Sequence, residues 1–295
     1  MKMIRVGPLA AVLLLLLALT FFVALDTTVK AVSREYAVLV TVWFRYLFQA
    51  VLMAVWLLPS RGLAGLTTSR PYQQALRGAL LLISGALASL SLAHMPLGEF
   101  TAIAMLTPLI VVLLSVLFFK EQVSLLRWGL LLVGFVGAVL VLRLNSMSVG
   151  WHMLLPISMV FFFAGFHLLS SHMARTEDPL LMHFYTGCFG AVVMTAVLPW
   201  IWSEAPDLHI WTMLLLIGIF ATVGHLLMLI AFASAPAATL SPFMYAQIAL
   251  AVIAGWLFFD HFPGYVEWVG ISLIVISGVS SAWVMARKQK DRAST

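Results

Sequence analysis

Four ionisable side chains sit inside or at the mouths of long uncharged stretches, and these are the residues that could do chemistry. Asp26 and Lys30 are four apart in LDTTVK, so on a helix they share a face. Arg45 lies within TVWFRYLFQ and cannot give up its proton. Glu99 follows Pro96, Leu97 and Gly98. An ionisable group at the centre of a membrane helix costs about 2.5–3.5 kcal/mol on insertion scales, so each needs a partner, water or a function. Asp26 and Lys30 read either as a neutralised pair near the outer interface, with Lys30 reaching for headgroups, or as a substrate-facing pair at the outer mouth of a pathway. Arg45 either pairs with Asp26 and frees Lys30, or anchors an anionic group of a substrate. Glu99 suits the first turn of a helix, where the dipole favours a carboxylate. Its alternative is a proton-coupling acid or a partner for a cationic substrate.

The elements that must position these groups are membrane spans. The chain has 295 residues, 63% hydrophobic and only 9% charged, with a mean hydropathy of +1.09. Soluble domains carry about 25% charge, so the lipid bilayer is the expected partner and solvent. Long apolar runs, not short alternating ones, argue for helices over a β-barrel. The formal charge of +5 is spread between apolar runs and the tail, so no nucleic-acid partner is expected. The single cysteine, Cys188, excludes an internal disulfide and any CxxC site.

One stretch occurs twice. Pro96 to Val139 aligns without a gap on Pro236 to Val279 at an offset of about 140 residues. Pro96 falls on Pro236, Leu117-Phe118-Phe119 on Leu257-Phe258-Phe259, and Trp128 on Trp268. The charges invert: Lys120 falls on Asp260 and Arg127 on Glu267. Loops on opposite membrane faces explain that inversion by the positive-inside rule. A duplicated unit with an odd number of spans returns upside down, a common build for carriers.

A span needs about 20 apolar residues. The expected spans are 7–30, 37–58, 73–94, 98–119 and 124–143, then 152–173, 180–202, 210–233, 238–259 and 265–286. Met1 to Arg5 and the apolar run after it read as an uncleaved first span. The expected fold is therefore all-α and integral to the membrane, with ten transmembrane helices as two inverted five-helix repeats. The units are 1–145, 150–286 and a basic cytoplasmic tail, 287–295. Ten spans put both termini inside, in a bacterial-type inner membrane. Of the 16 Lys and Arg, this topology leaves only Arg34 and Arg143 outside, with Lys30 and Arg45 within spans and the rest cytoplasmic.

Ten spans, inverted halves and a proline-bearing fourth span followed by LFFKE and RWG resemble the EamA-type branch of the drug/metabolite transporter superfamily. The second half departs from that pattern: LFFDHFPGYVEW has no acid at the position of Glu121. TSRPYQQALRG and WFRYLFQ are closer to the sub-branch of S-adenosylmethionine and riboflavin importers than to amino-acid exporters. The resemblance implies a secondary carrier of small organic solutes working by alternating access, proton coupling being an option. It implies a central site lined by spans 1, 3, 4, 6, 8 and 9. Fold alone does not name the solute or the direction, so export of amino acids or drugs stays open.

The remaining candidates follow from position. Thr101 overlays Ser241 and Thr107 overlays Gln247 through the repeat, and Tyr245 shares a face with Ser241. Pro108 and Pro242 inside these spans would free carbonyls beside a cavity. His167 and His225 lie deep in spans 6 and 8, as cavity residues or as packing ones. No HExxH or Cys/His spacing exists, so neither a metal nor a cofactor is expected. An intramembrane enzyme would need a nucleophile–base pair or metal cluster, which the sequence lacks, and no P-loop is present. A scaffold reading fits four-span chains better than this duplication. Gly129, Gly134 and Gly137 with Gly270, Ser277 and Gly278 read as close helix contacts, within one chain or across a homodimer.

Overall fold

The computed structural model describes residues 6–95, 100, 103–120, 122–142, 150–174, 176–202, 204–250 and 264–293. Glu99, Thr101 and Asp260 lie outside the described residues. Among the described residues ten principal helices follow in order. They are α1 (Pro8–Val32), α2 (Val38–Arg61), α3 (Pro71–His94), α4 (Thr107–Phe119), α5 (Leu125–Leu142), α6 (Leu154–Met173), α7 (Pro179–Ile201), α8 (Leu208–Ser234), α9 (Ala237–Met244) and α10 (Tyr265–Ala293). No strand occurs among the described residues. Among the described residues six helices, α1, α2, α3, α6, α7 and α8, are long and apolar enough to cross a membrane by themselves.

Local chemistry sets the helix starts. Pro8, Pro71 and Pro179 stand in the first turns of α1, α3 and α7, where a missing N–H costs nothing. Asp178 accepts from the Leu180 amide at 2.9 Å and Asp207 from the Ile210 amide at 2.8 Å, each supplying one of the acceptors a helix start lacks. Gly62 ends α2 with φ 65, a conformation open to glycine and strained for residues with a Cβ.

Two expected spans are not continuous helices. The fourth breaks at Met105–Leu106, just before α4, and the ninth at Tyr245, just after α9. The breaks coincide through the 140-residue offset. Pro108 lies at the start of α4 and Pro242 inside α9. A proline removes one donor and crowds the preceding turn, which accounts for the break before Pro108, whereas α9 stays helical through Pro242 and breaks after it. The chain crosses each break through short i→i+3 bonds, Leu106 N–H to Ile103 O at 3.0 Å and Ile248 N–H to Tyr245 O at 3.1 Å. At the other end of the chain, α10 runs to Ala293, seven residues past the expected span. The tail ARKQKDRA is built of strong helix formers.

Helices pack chiefly across the two halves of the chain: α1 on α8, α3 on α6, α2 on α7, α4 on α9 and α5 on α10. The last pair explains the glycines. A Cβ on Gly137 would stand 2.6 Å from the Gly270 carbonyl oxygen, and one on Gly134 would stand 2.6 Å from the Tyr245 ring. Ser277 donates to the Leu130 carbonyl at 2.6 Å. Gly134, Gly137, Gly270 and Ser277 thus serve close contacts within one chain, while Gly129 has open space beside it.

Loops tie the ends of this bundle. Arg61 and Asp178 form an ion pair at 2.7 Å. Thr68 and Ser69 donate to the Glu177 carboxylate at 3.0 and 2.9 Å, and the Tyr185 hydroxyl donates to the Leu66 carbonyl at 2.6 Å. At the opposite end the Tyr36 hydroxyl donates to the Glu204 carbonyl. Burial and the Glu204 carboxylate raise the pKa of that phenol above its ordinary value. Asp178 does two jobs here, so two substitutions separate them. Asp178→Asn keeps the cap and should cost roughly 0.5 kcal/mol, whereas Asp178→Ala loses both and should cost about 1–2 kcal/mol. Thermal unfolding in detergent checks the order; equal melting points would remove the capping role.

Candidate solute cavity

A cavity of about 100 Å³ opens between the two halves. α1 contributes Phe22, Leu25 and Asp26; α2 contributes Arg45; α3 contributes Leu81, Ser84, Gly85 and Ala88. The broken fourth span adds Phe100, Ala104, Met105, Thr107 and Pro108, and the broken ninth adds Met244 and Gln247. Met159 and Phe163 come from α6 and His225 from α8. Irregular backbone at membrane depth is tolerated where it lines such a space.

Arg45 dominates the polar side of this space. It is 7% exposed, its guanidinium lies 4.7 Å from the Tyr46 ring centre, and one terminal nitrogen has no hydrogen-bond partner. Among the described residues no carboxylate stands within ion-pair distance of it. Its seat is a notch. A Cβ on Gly85 would stand 2.1 Å from that same nitrogen, well inside contact distance. Gly85 therefore admits the guanidinium to the cavity wall.

Asp26 faces the cavity with one long contact, from the Gln247 amide at 3.4 Å, near the limit of a real hydrogen bond. The i, i+4 pair with Lys30 does not form. Lys30 instead donates to the Leu92 and Met95 carbonyls at 2.6 and 2.9 Å. Those carbonyls belong to the end of α3, where backbone acceptors lack partners and the dipole is negative. Lys30 is thus a cap on α3 and lies outside the cavity lining.

His225 bonds the Ala221 carbonyl through Nδ1 at 2.8 Å. A carbonyl only accepts, so Nδ1 carries the proton and Nε2 offers a lone pair with no partner among the described residues. His167 lies outside the lining. It is fully buried against Phe163, Phe166 and Phe232, with ring centres 4.2, 5.8 and 5.3 Å away. Tyr245 is also outside, packed on Gly134, and Ser241 is fully buried beneath the break. Of the residues singled out from sequence, the structure thus gathers Asp26, Arg45, Thr107, His225 and Gln247 at one cavity. Among the described residues no three His, Cys, Asp or Glu side chains group as a metal would require.

The site combines one unpaired guanidinium, one nearly free carboxylate, an imidazole acceptor and an amide, walled by three phenylalanines and three methionines. Phenylalanine faces and polarizable thioethers suit a flat organic solute. Donors at Arg45 and acceptors at Asp26 and His225 suit one with polar groups of both kinds. Sequence reasoning missed Gly85, Phe22 and Phe163, although WFRYLFQ next to a glycine-bearing span was a partial signal.

The notch makes a stability prediction. Gly85→Ala must expel the Arg45 guanidinium or spread α2 from α3, at a cost of about 1–3 kcal/mol. In the Arg45→Ala background the same change should cost under about 0.5 kcal/mol. Thermal unfolding of the four proteins reads the coupling, and additive losses would remove the notch.

The sequence pattern of the EamA-like transporter family matches residues 9–143 and again 150–281. The riboflavin transporter of Brucella anthropi is 28% identical over 235 residues, covering 77% of this chain and 81% of that one. The S-adenosylmethionine uptake transporter of Rickettsia bellii is 28% identical over 221 residues, 75% of each chain. The pseudopaline exporter of Pseudomonas aeruginosa is 26% identical over 282 residues, 92% of this chain and 95% of that one. A crystal structure superposes with a TM-score of 0.76 at 17% identity, over 96% of this chain and 99% of that one, a likeness of fold. With the family pattern matched in both halves and the helices continuous with that fold, the chain belongs to the EamA-like transporter family.

Proposed function

We propose that this membrane transporter is a secondary carrier that takes up a flat, polar, cofactor-like metabolite of the S-adenosylmethionine or riboflavin kind by alternating access. The observation that carries this is the cavity, built from broken helices of both halves around an unpaired Arg45. Discontinuous helices at the junction of repeats are where such carriers place their solutes. A cavity of about 100 Å³ holds a few waters, so a cofactor-sized solute enters only as the walls part.

Ten spans in two inverted five-helix units, 1–145 and 150–286, are the scaffold of this reading. The packing supports it. Exchanging the halves turns the α1–α8 contact into α6–α3, and maps α2–α7, α4–α9 and α5–α10 onto themselves. That is the pattern a pseudo-two-fold axis produces. The charge inversion between Lys120 and Asp260 supports opposite orientation of the units, with both termini cytoplasmic in an inner membrane. The family match supports transport over catalysis, and one chain with its lipid suffices for the cavity. Export on the same fold is favoured by one finding, the exporter relative that covers 92% of this chain.

Proteoliposomes holding the purified chain decide the matter. Labelled S-adenosylmethionine and riboflavin should be offered with and without a proton gradient. One should enter saturably, and Arg45→Ala should slow its entry at least tenfold. Failure of both solutes to enter, in protein with a normal melting point, would overturn the uptake reading.

A further inference from the structure

The face of α3 that lines the cavity does not stop there. Leu81, Ser84 and Ala88 lie on one helical stripe, and stepping back by four and three residues along it reaches Arg77 and Gln74. At 1.5 Å per residue these stand about 6 and 10 Å beyond Leu81. The facing stripe of α6 continues in the same way. Met159 and Phe163 line the cavity, and Phe166 and Ser170 follow on that face. The two continuations meet. The Arg77 Nε donates to the Ser170 hydroxyl at 2.8 Å, and the guanidinium stacks over Phe166 at 5.1 Å. From α7, the Met182 carbonyl accepts from Arg77 at 2.6 Å, and the Thr186 hydroxyl accepts from it too.

This region is closed, polar and incompletely satisfied. Arg77 and Gln74 are each 1% exposed. Every acceptor that Arg77 reaches is neutral, and among the described residues no carboxylate pairs with it. Both amide atoms of Gln74 are buried without partners, as is His183 Nε2. The Gln49 amide nitrogen lies 3.1 Å from His183 Nδ1 and donates to the His183 carbonyl at 2.8 Å. An amide nitrogen only donates, so Nδ1 accepts and Nε2 carries a proton, directed at the Thr222 backbone carbonyl without a well-formed bond. A purely structural arginine would leave its neighbours satisfied, because orphaned buried polar atoms are costly. Here a cation, an imidazole donor and an amide donor stand together without an anion.

We propose that Gln74, Arg77 and His183 form a second solute site, continuous with the cavity, that takes the carboxylate or phosphate group of the transported molecule when the end of the bundle beside it opens. It rests on the reading of the cavity as the transport site. The Arg61–Asp178 pair and the Thr68, Ser69 and Glu177 bonds are the ties that hold that end shut in this structure. Arg77, seated between α3, α6 and α7, closes the path here by bridging its walls. When the walls part, its guanidinium exchanges neutral acceptors for an oxyanion, the stronger partner.

The test needs no knowledge of the solute. In a Cys188→Ser background, Gln74→Cys and Ser84→Cys are labelled in oriented membrane vesicles with two impermeant methanethiosulfonates, one a sulfonate and one a trimethylammonium. Rates are taken relative to a free thiol. Gln74→Cys should react only from the side bearing the 61–70 loop, with the sulfonate favoured at least tenfold. Adding Arg77→Gln should erase that preference, and Arg77→Lys should keep it. Loss of packing alone would speed both reagents without sorting them by charge. A silent Gln74→Cys beside a labelled Ser84→Cys, or labelling indifferent to reagent charge, would overturn the second site and leave the cavity standing. Silence at both positions would take the cavity reading down with it.

Discussion

A guanidinium in a membrane protein cannot become neutral, and everything around Arg45 follows from that. It needs room, supplied by the missing side chain of Gly85, and it needs a face that is not lipid, supplied by the cavity. Its second neighbour is the Tyr46 ring at 4.7 Å, a favourable contact that leaves one terminal nitrogen without a partner. Because α2 brings the cation and α3 brings the notch, the two helices must keep their register for the site to exist. The broken fourth and ninth spans then close the space from the far side.

The distribution of polar groups along the path is uneven. Beside Arg45 the cavity is lined by Asp26, Gln247 and His225, so it offers both signs. Around Arg77 the groups are donors and neutral acceptors alone. Lys30, which on charge alone belonged with the first group, is drawn off by the carbonyls at the end of α3. A solute moving between the two regions would trade a dipolar environment for a positive one. That asymmetry exists although the scaffold is duplicated, because the polar residues differ between the copies while the apolar punctuation repeats.

Much of this was legible from the amino-acid order, for physical reasons. Span positions follow from the length of uncharged runs, and most helix limits agree within a few residues. Arg45 announces itself because its burial is so costly. The breaks in the fourth and ninth spans were partly legible from Pro108 and Pro242, although one falls two to three residues before Pro108 and the other three residues after Pro242. Gly85 was invisible, because its contribution is an absence of atoms and shows only when another helix is laid against it. Arg77 was misjudged as a charge for the aqueous face. It lies in the second turn of a span, where an arginine ordinarily reaches headgroups, and its acceptors on α6 and α7 are 93 to 109 residues away. The Asp26–Lys30 spacing suggested a pair, and a helix end elsewhere in the fold outbid it.

The discontinuities at Met105–Leu106 and Tyr245 set where this molecule can bend cheaply. Bending an intact helix stretches or breaks its ladder of backbone bonds. At these two points the ladder is already interrupted and bridged by shorter bonds. α4 and α9 can therefore act as stiff levers with their fulcra at the cavity wall. Their far ends can sweep while the Gly137–Gly270 contact between α5 and α10 stays packed. Displacement of the solute then needs rotation of two short rods and not the rebuilding of a core.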